Sequence, residues 1–219
     1  NYHQIGLTEG AEVTVDLIDM AMRAITKAID ISLSNVPVFD GKTLVAVDSS
    51  GSMIGWRDET APIDIAALFA AALYKSNNAD LILFDGEAKY IHPNKLDTVT
   101  SITDEIKRQA RGGTTNFHTI FQTASQKYDR IIILSDMQAW DQCHSYTERV
   151  DLSLKKYRKK FKFRPHIFSF DLAGYGTLQF PEKNVYALAG FSEKVFDLMP
   201  LIEKGNDSLV GEIEKVKIN

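Results

Sequence analysis

The sequence predicts an α/β protein with a doubly wound, mainly parallel sheet and helices on both faces. Two apolar segments, at 44–47 and 130–134, have the composition of strands that are buried on both faces of a sheet. Helical patterns alternate with these and with further short apolar segments, as in successive βαβ units. A Gly86-Glu87 turn joins segments 79–85 and 88–92, which predicts one antiparallel edge strand.

Composition sets limits on the class of protein. The 219 residues are 44% hydrophobic, which suffices for one sizeable core. A net charge of −4 is not that of a general nucleic-acid binder, so any contact with nucleic acid is expected to be local. The single cysteine, Cys143, excludes an internal disulfide framework, and the sequence has neither a signal-peptide pattern nor a membrane-spanning apolar segment. We therefore expect a monomeric cytoplasmic protein with no membrane partner.

The periodicity of apolar residues predicts the remaining elements. Helices are expected at 11–33, 63–74, 97–111, 146–161 and 192–202, and strands at 165–170 and 185–188. A further helix, capped by Thr115 or Asn116, is expected to run to Tyr128.

Three regions follow from this pattern. Residues 1–42 form an N-terminal helical segment, 43–204 the main domain, and 205–219 a C-terminal helix that packs on or near it. The N-terminal helix either packs across or along the sheet, or is the closing segment of a larger upstream module.

Hydroxyl groups follow the first buried strand at once, in the sequence Asp48-Ser49-Ser50-Gly51-Ser52. Asp48, Ser50 and Ser52 occupy alternate positions, so an extended backbone can direct all three side chains to one side. In an open α/β sheet, ligands bind outside the carboxyl ends of the strands. One carboxylate and two hydroxyls are hard oxygen donors, which suit Mg²⁺, Mn²⁺ or Ca²⁺ and not zinc.

This D-x-S-x-S sequence resembles the metal-ion-dependent adhesion site of von Willebrand factor A (vWA) domains. Two later segments are similar to the rest of that site: the loop Gly112-Gly113-Thr114-Thr115-Asn116 and the strand that ends at Asp136. The resemblance implies that Thr114 binds the cation directly or through water. It also implies that Asp136 holds a coordinated water or steadies the hydroxyls. The plainer alternatives are that the serines cap a helix and Asp136 only ends a strand, or that the site is vestigial.

A second resemblance is to the Ro autoantigen family, in which a ring of helical repeats, the TROVE module, precedes a vWA domain. It rests on VYALAGFSEKVFDL at 185–198, on MRAITKAI at 22–29 and on KTLVAVD at 42–48. The resemblance implies a ribonucleoprotein that binds small noncoding Y-type RNAs and misfolded RNAs. These residues do not include the ring, so RNA binding by the ring is not assigned to them.

One dense basic segment, KKYRKKFKFR at 155–164, is interleaved with aromatic residues. Its residues Lys155, Lys156, Arg158 and Lys159 are the candidate RNA contacts, because clustered cations bind phosphates. The alternative is a solvated helix end that complements the helix dipole.

Other functional residues are weaker candidates. We expect His118 on a helix surface, and His92, His144 and His166 too scattered for zinc. Trp140 follows Asp136 closely enough to be a partner contact.

The leading expectation is a non-catalytic, cation-dependent binding module of a Ro-type RNA-binding protein. The alternative is a general vWA interaction module in which an Asp or Glu of a protein partner completes the metal coordination, without RNA. An enzyme is the least favoured class. Hydrolases with an aspartyl nucleophile need a second Asp two residues on, where this chain has Ser50. Neither a G-x-x-x-x-G-K-[ST] nor a G-x-S-x-G motif is present.

Overall fold

The computed structural model describes residues 9–55, 61–137, 144–174, 182–189 and 194–205. Six strands form one sheet in the order β3-β2-β1-β4-β5-β6. They are β1 (Thr43–Asp48), β2 (Asp80–Phe84), β3 (Ala88–Ile91), β4 (Arg130–Ser135), β5 (His166–Asp171) and β6 (Val185–Ala189).

The sheet is parallel except at one edge. β1 pairs in parallel with β2 and with β4, and β5 lies in parallel between β4 and β6. β3 is antiparallel to β2, as the short Gly86-Glu87 turn requires, and Asp85 N donates to Glu87 O at 2.8 Å across that turn. The predicted fold class is confirmed, including its antiparallel edge strand.

Seven helices accompany the sheet in the described part of the chain. They are α1 (Glu9–Ser32), α2 (Gly51–Ile54), α3 (Pro62–Ser76), α4 (Val99–Gln109), α5 (His118–Thr123), α6 (His144–Phe161) and α7 (Lys194–Lys204). α1, α3, α6 and α7 lie within a few residues of the predicted helices. α4 is shorter than predicted because it begins after its N-cap Thr98, whose Oγ1 accepts from Ser101 N at 3.2 Å.

The predicted cap and length of α5 are wrong. Phe117 occupies the N-cap position without a side-chain cap hydrogen bond, and the helix ends at Thr123, not at Tyr128. Asn116 is engaged elsewhere, because its backbone N–H donates to Asp85 O at 2.9 Å and its side-chain amide to Gly86 O at 3.2 Å. The residues before α5 therefore belong to a loop that is fixed to the β2–β3 turn.

Alternation along β1 divides the core into two layers. Val45 and Val47 pack with α3, α4 and α7 on one face of the sheet, and Leu44 and Ala46 pack with α5 and α6 on the other. All four side chains are fully buried. Burial of an aliphatic side chain contributes about 1.5–3 kcal/mol. These two layers hold the carboxyl ends of β1 and β4 at fixed positions.

The C-terminal end of α1 packs against the domain. Ile29 and Leu33 contact the layer of α3 and α7, and Asp30 Oδ1 accepts from Val99 N at 2.9 Å. Leu17 and Met20, by contrast, are more than half exposed. Both roles expected for the segment 1–42 stay predictions, and the helix expected over 205–219 lies outside the described residues apart from Gly205. None of the helices described is long and apolar enough to cross a bilayer.

Candidate metal centre

The candidate centre lies where the strand order reverses, between β1 and β4. These two strands are adjacent and parallel, with Val47 beside Leu134, so Asp48 and Ser135 end them at the same edge. Ligands of open α/β sheets bind at this point, because the connections of the two strands diverge to opposite faces and leave a crevice.

Asp48 is the buried anion of the centre. Its side chain has no exposed surface. Oδ1 accepts from Ser50 N at 2.9 Å, and Oδ2 accepts from Ser135 Oγ at 2.6 Å. Burial raises the pKa of Asp48 to about 6, against the lowering effect of these donors, and the nearby Asp136 carboxylate raises it further. The charge of Asp48 is thus stabilised only in part by the protein.

Ser50 and Ser52 lie on the same side of the loop, as their spacing predicts. Their hydroxyl oxygens are 3.3 Å apart. Ser50 occupies the N-cap position of α2, but its hydroxyl makes no capping hydrogen bond. The alternative in which the Ser50 side chain caps a helix therefore does not hold.

The loop with Thr114 is hydrogen-bonded directly to the loop after β1. Gly51 N donates to Gly113 O, and Gly112 N donates to Ser49 O, both at 2.9 Å. Gly113 also forms a parallel bridge with Ser50. Thr114 is the next residue and is exposed, near the β2–β3 turn at Gly86. The backbone therefore places Thr114 next to the residue that is bridged to Ser50.

Asp136 is buried immediately after β4, with 2% of its surface exposed. Its backbone N–H donates to Met53 Sδ at 3.2 Å, and Met53 is the fully buried residue of α2. This contact ties the end of β4 to the short helix that carries Ser52. Asp136 is also close enough to Asp48 to raise the pKa of that carboxyl.

Sequence reasoning missed two residues of this region, Ser135 and Asp85. Ser135 joins the two strand ends, since it donates to Asp48 and its Oγ accepts from Met137 N at 2.9 Å. Asp85 follows β2 and contacts Gly113, where a Cβ would lie only 2.9 Å from Asp85 Oδ2. Both residues carried the signal used for Asp48, a polar residue at the end of a buried strand.

The donor set fits a hard divalent cation. Asp48 and Asp136 supply carboxylate oxygens, and Ser50, Ser52 and Thr114 supply neutral hydroxyls, which suits Mg²⁺, Mn²⁺ or Ca²⁺. A buried carboxylate with a raised pKa is a site where a cation lowers the free energy of the ionised form. In the described ranges, no three His, Cys, Asp or Glu side chains form a group that could hold a metal, so a zinc centre is not supported there.

The basic segment, His92 and His166 lie away from this centre. α6 belongs to the connection that leads from Asp136, after β4, back to the start of β5. The basic segment at the end of α6 therefore lies at the N-terminal edge of the sheet, just before β5. His166 lies at that same edge, His92 is exposed after β3, and His118 is half-buried at the start of α5. Trp140, Cys143 and the His144 side chain fall outside the described residues.

We expect Gly113→Ala to weaken Mg²⁺ binding about 10-fold, the scale for residues that orient metal ligands. The new Cβ would overlap Asp85 Oδ2 and Cγ, at 2.9 and 3.0 Å, and displace the Thr114 loop. Titration calorimetry measures the affinity. Asp85→Gly in the same chain should restore it, because it removes the overlapping side chain. Asp104→Ala, at an exposed position of α4 away from this loop, is the control. Equal Mg²⁺ affinity of Gly113→Ala and the unaltered chain would contradict the role of this loop.

No protein-family model and no curated protein sequence matches the chain. Among solved structures, a Ro (RSR) protein from Deinococcus radiodurans matches 84% of this chain with a TM-score of 0.67 and 20% identity. The PilB minor pilin of Streptococcus sanguinis matches 77% of this chain and 62% of its own, with a TM-score of 0.43 and 14% identity. An aerotolerance-related membrane protein of Bacteroides fragilis matches 59% of this chain and 66% of its own, with a TM-score of 0.41 and 14% identity.

The chain spans 38% of the length of the Deinococcus Ro protein. At 20% identity the likeness shows the fold, and the predicted vWA-like fold is confirmed at that level. The metal of the adhesion site and the upstream ring stay predictions. The chain has a vWA-like module with a fold similar to that of part of a Ro protein.

Proposed function

We propose that this chain is a non-catalytic, divalent-cation-dependent ligand-binding module of a Ro-type RNA-binding protein. One observation carries the proposal: a fully buried carboxylate, Asp48, stands at the strand-order reversal beside two serine hydroxyls. Buried carboxylates without a cationic partner are costly, and proteins retain them where a cation or a reaction uses the charge.

Asp48, Ser50 and Ser52 would hold Mg²⁺, with Thr114 direct or through water. Asp136 would orient a bound water or the hydroxyls. Since Asp48 would be the one anionic residue among the direct ligands, a bound divalent cation stays electrophilic and attracts an anionic oxygen of a ligand. The buried ends of β1 and β4 fix the donors, so the chain's part is to position oxygens and exclude bulk water from Asp48.

The nature of the ligand separates two versions of this function. In the leading version the full-length protein binds small noncoding or misfolded RNA, which the sequence resemblance to the Ro family implies and the fold likeness supports. In the alternative, a partner's Asp or Glu completes the metal coordination and no RNA is involved. In both versions the same residues hold the cation.

Two probes distinguish the versions: an oligouridine of about 20 nucleotides and a glutamate-rich peptide. Each is titrated into the protein in Mg²⁺ and in EDTA. Peptide binding that needs Mg²⁺ and is lost in Asp48→Ala supports the cation-dependent site. Oligouridine binding in either buffer supports the RNA-binding version, whereas binding of the peptide alone supports the alternative. Binding of neither probe would contradict both.

We also propose that the module is not an enzyme, and we expect no phosphatase or nuclease turnover above a metal-free control. Ser50 stands where an aspartyl-nucleophile hydrolase needs its second carboxyl group, and a serine hydroxyl is too weak an acid to protonate the leaving group in its place. Assays with p-nitrophenyl phosphate and with labelled oligouridine, each with Mg²⁺, measure this. Turnover that Asp48→Ala removes would contradict the proposal.

A further inference from the structure

We propose that a basic surface at the N-terminal edge of the sheet binds the phosphodiester backbone of RNA without requiring the cation of the Asp48 site. The inference rests on the RNA-binding version of the proposed function and assigns it a surface. Six exposed cations define the basic surface: Lys127, Lys155, Lys159, Lys162, Arg164 and Lys183.

The end of α6 builds the centre of this surface. Lys155 and Lys159 lie one turn apart on the helix, and Lys162 adopts a left-handed conformation with φ of 49° just after it. Phe163 N then donates to Arg158 O at 3.2 Å, so the chain turns back beneath the helix. As a result Lys155, Lys159, Lys162 and Arg164 line one groove of about 850 Å³.

Two further cations lie next to residues that line the groove, and they come from other parts of the sequence. Lys127, before β4, places its Nζ 4.2 Å from the centre of the Phe163 ring. Lys183, before β6, is held by its backbone oxygen, which accepts from Arg158 Nη2 at 3.2 Å. The surface therefore combines three segments that are far apart in the chain.

The acidic residue that lines the groove among the described residues does not cancel this charge. Glu182 is the acidic residue that lines the groove, and it forms an ion pair with Arg158. The Arg158 side chain is only 9% exposed. Arg158, a predicted RNA contact, is thus a positioning residue that neutralises Glu182, while Lys156 is exposed but does not line the groove. Six exposed cations on a chain of net charge −4 mark a localised anion-binding surface.

A nucleic-acid backbone fits this surface better than a membrane does. Membrane-binding surfaces combine cations with apolar side chains that insert between lipids. None of the exposed large hydrophobic residues of the described chain lines the groove. Contacts of this kind neutralise phosphates and do not read bases, so the expected binding is insensitive to sequence and strongly sensitive to salt.

The basic surface and the Asp48 site lie at opposite edges of the sheet. Asp48 ends β1, whereas the basic residues flank the first residues of β4, β5 and β6. A strand of six residues spans roughly 20 Å. Charges that far apart are largely screened, since the Debye length is about 8 Å at physiological salt. Cation binding at Asp48 should therefore change RNA affinity by less than about 2-fold.

The test uses a fluorescein-labelled oligouridine of about 20 nucleotides in EDTA, with anisotropy read between about 50 and 300 mM salt. The variant carries Lys155→Glu, Lys159→Glu and Lys162→Glu. Each lost phosphate contact costs about 5-fold in affinity at 0.1 M salt, so we expect about 100-fold weaker binding and a salt slope smaller by about 2. The matched control carries Arg23→Glu, Lys27→Glu and Arg108→Glu, exposed residues of α1 and α4 with the same change of net charge.

The outcomes are distinct. Weak binding by the groove variant and near-normal binding by the control supports the proposal. An equal loss of oligouridine affinity in both variants would mean that only net charge matters, and it would overturn the proposal. Unchanged affinity in the groove variant would also overturn it. If the groove variant loses binding to phosphatidylserine vesicles but binds oligouridine as before, the surface binds membranes and the proposal of RNA binding is overturned. Asp48→Ala should lose Mg²⁺ binding but keep oligouridine binding, so the cation site and the basic surface fail separately.

Discussion

Asp48→Ala should abolish Mg²⁺ binding in titration calorimetry, while the unaltered chain shows a saturable heat. Asp48 is the fully buried carboxylate between the two strand ends, and its removal leaves mainly neutral hydroxyls at the centre. Asp48→Asn is the conservative companion, because an amide keeps the shape and an acceptor oxygen for the hydrogen bond from Ser135. Asp104→Ala, an exposed carboxylate on α4, is the matched control. Identical heats for Asp48→Ala and the unaltered chain would remove the metal from the proposed function.

Thermal unfolding gives a second measurement of the same site. Mg²⁺ at 100 times its dissociation constant stabilises the folded state by about 2.7 kcal/mol. For a chain of this length that raises Tm by about 5–11 °C. The Asp48 variants should show no such rise.

The pH dependence of this stabilisation follows from the raised pKa of Asp48. Because its folded pKa of about 6 lies above the ordinary value of 3.8, the metal-free folded state binds the proton more tightly than the unfolded state. This contribution to stability is complete below about pH 4 and is lost as the pH rises through about 6. Protons therefore compete with Mg²⁺, and the rise of Tm with Mg²⁺ should be larger at pH 7 than at pH 5.

Arg130→Ala should lower the free energy of unfolding by about 3–5 kcal/mol, the cost of breaking a buried ion pair. Arg130 is 2% exposed, and its Nε and Nη2 donate to the two carboxylate oxygens of Glu203 at 2.6 and 2.7 Å. It also donates to Thr43 Oγ1 at 2.9 Å and to Asp40 O at 2.7 Å. Its loss leaves Glu203 without its guanidinium partner and detaches α7 from the start of β1 and β4. Urea unfolding measures the change.

Arg23→Ala is the control for this prediction. Arg23 pairs with Asp19 on α1 at 2.8 Å, but the two side chains are 79% and 57% exposed. Exposed pairs of this spacing contribute about 0.3–0.5 kcal/mol. If both variants lose a comparable free energy of unfolding, the larger contribution expected for the buried Arg130 pair is contradicted.

Sequence patterns predicted the elements whose residues satisfy a local rule. The buried strands β1 and β4 could be recognised because consecutive apolar residues are needed when both faces of a strand are covered. α3 could be recognised from Pro62 at its start and its Ala-rich apolar residues. α5 could not, because Asn116 bonds to a turn 30 residues away instead of capping the helix.

The candidate site was predictable in part for the same reason. Asp48, Ser50 and Ser52 are close in sequence, so their grouping needed only the geometry of an extended loop. Asp85 and Ser135 were missed because their importance depends on which strands are neighbours. Asp48 lies beside Phe84 on β2, and Ser135 follows the β4 residue that pairs with Val47.

The sequence by itself determined the α/β class, the alternation of strands and helices, and the hydroxyl-rich loop after β1, because these depend on periodicities and spacings of a few residues. Only the tertiary structure decided that the Asp48 site and the basic surface lie at opposite edges, that Lys127 and Lys183 join that surface, and that Arg158 serves Glu182. Strand order and helix ends bring together residues that are far apart in the chain, and local sequence patterns do not specify such long-range pairing.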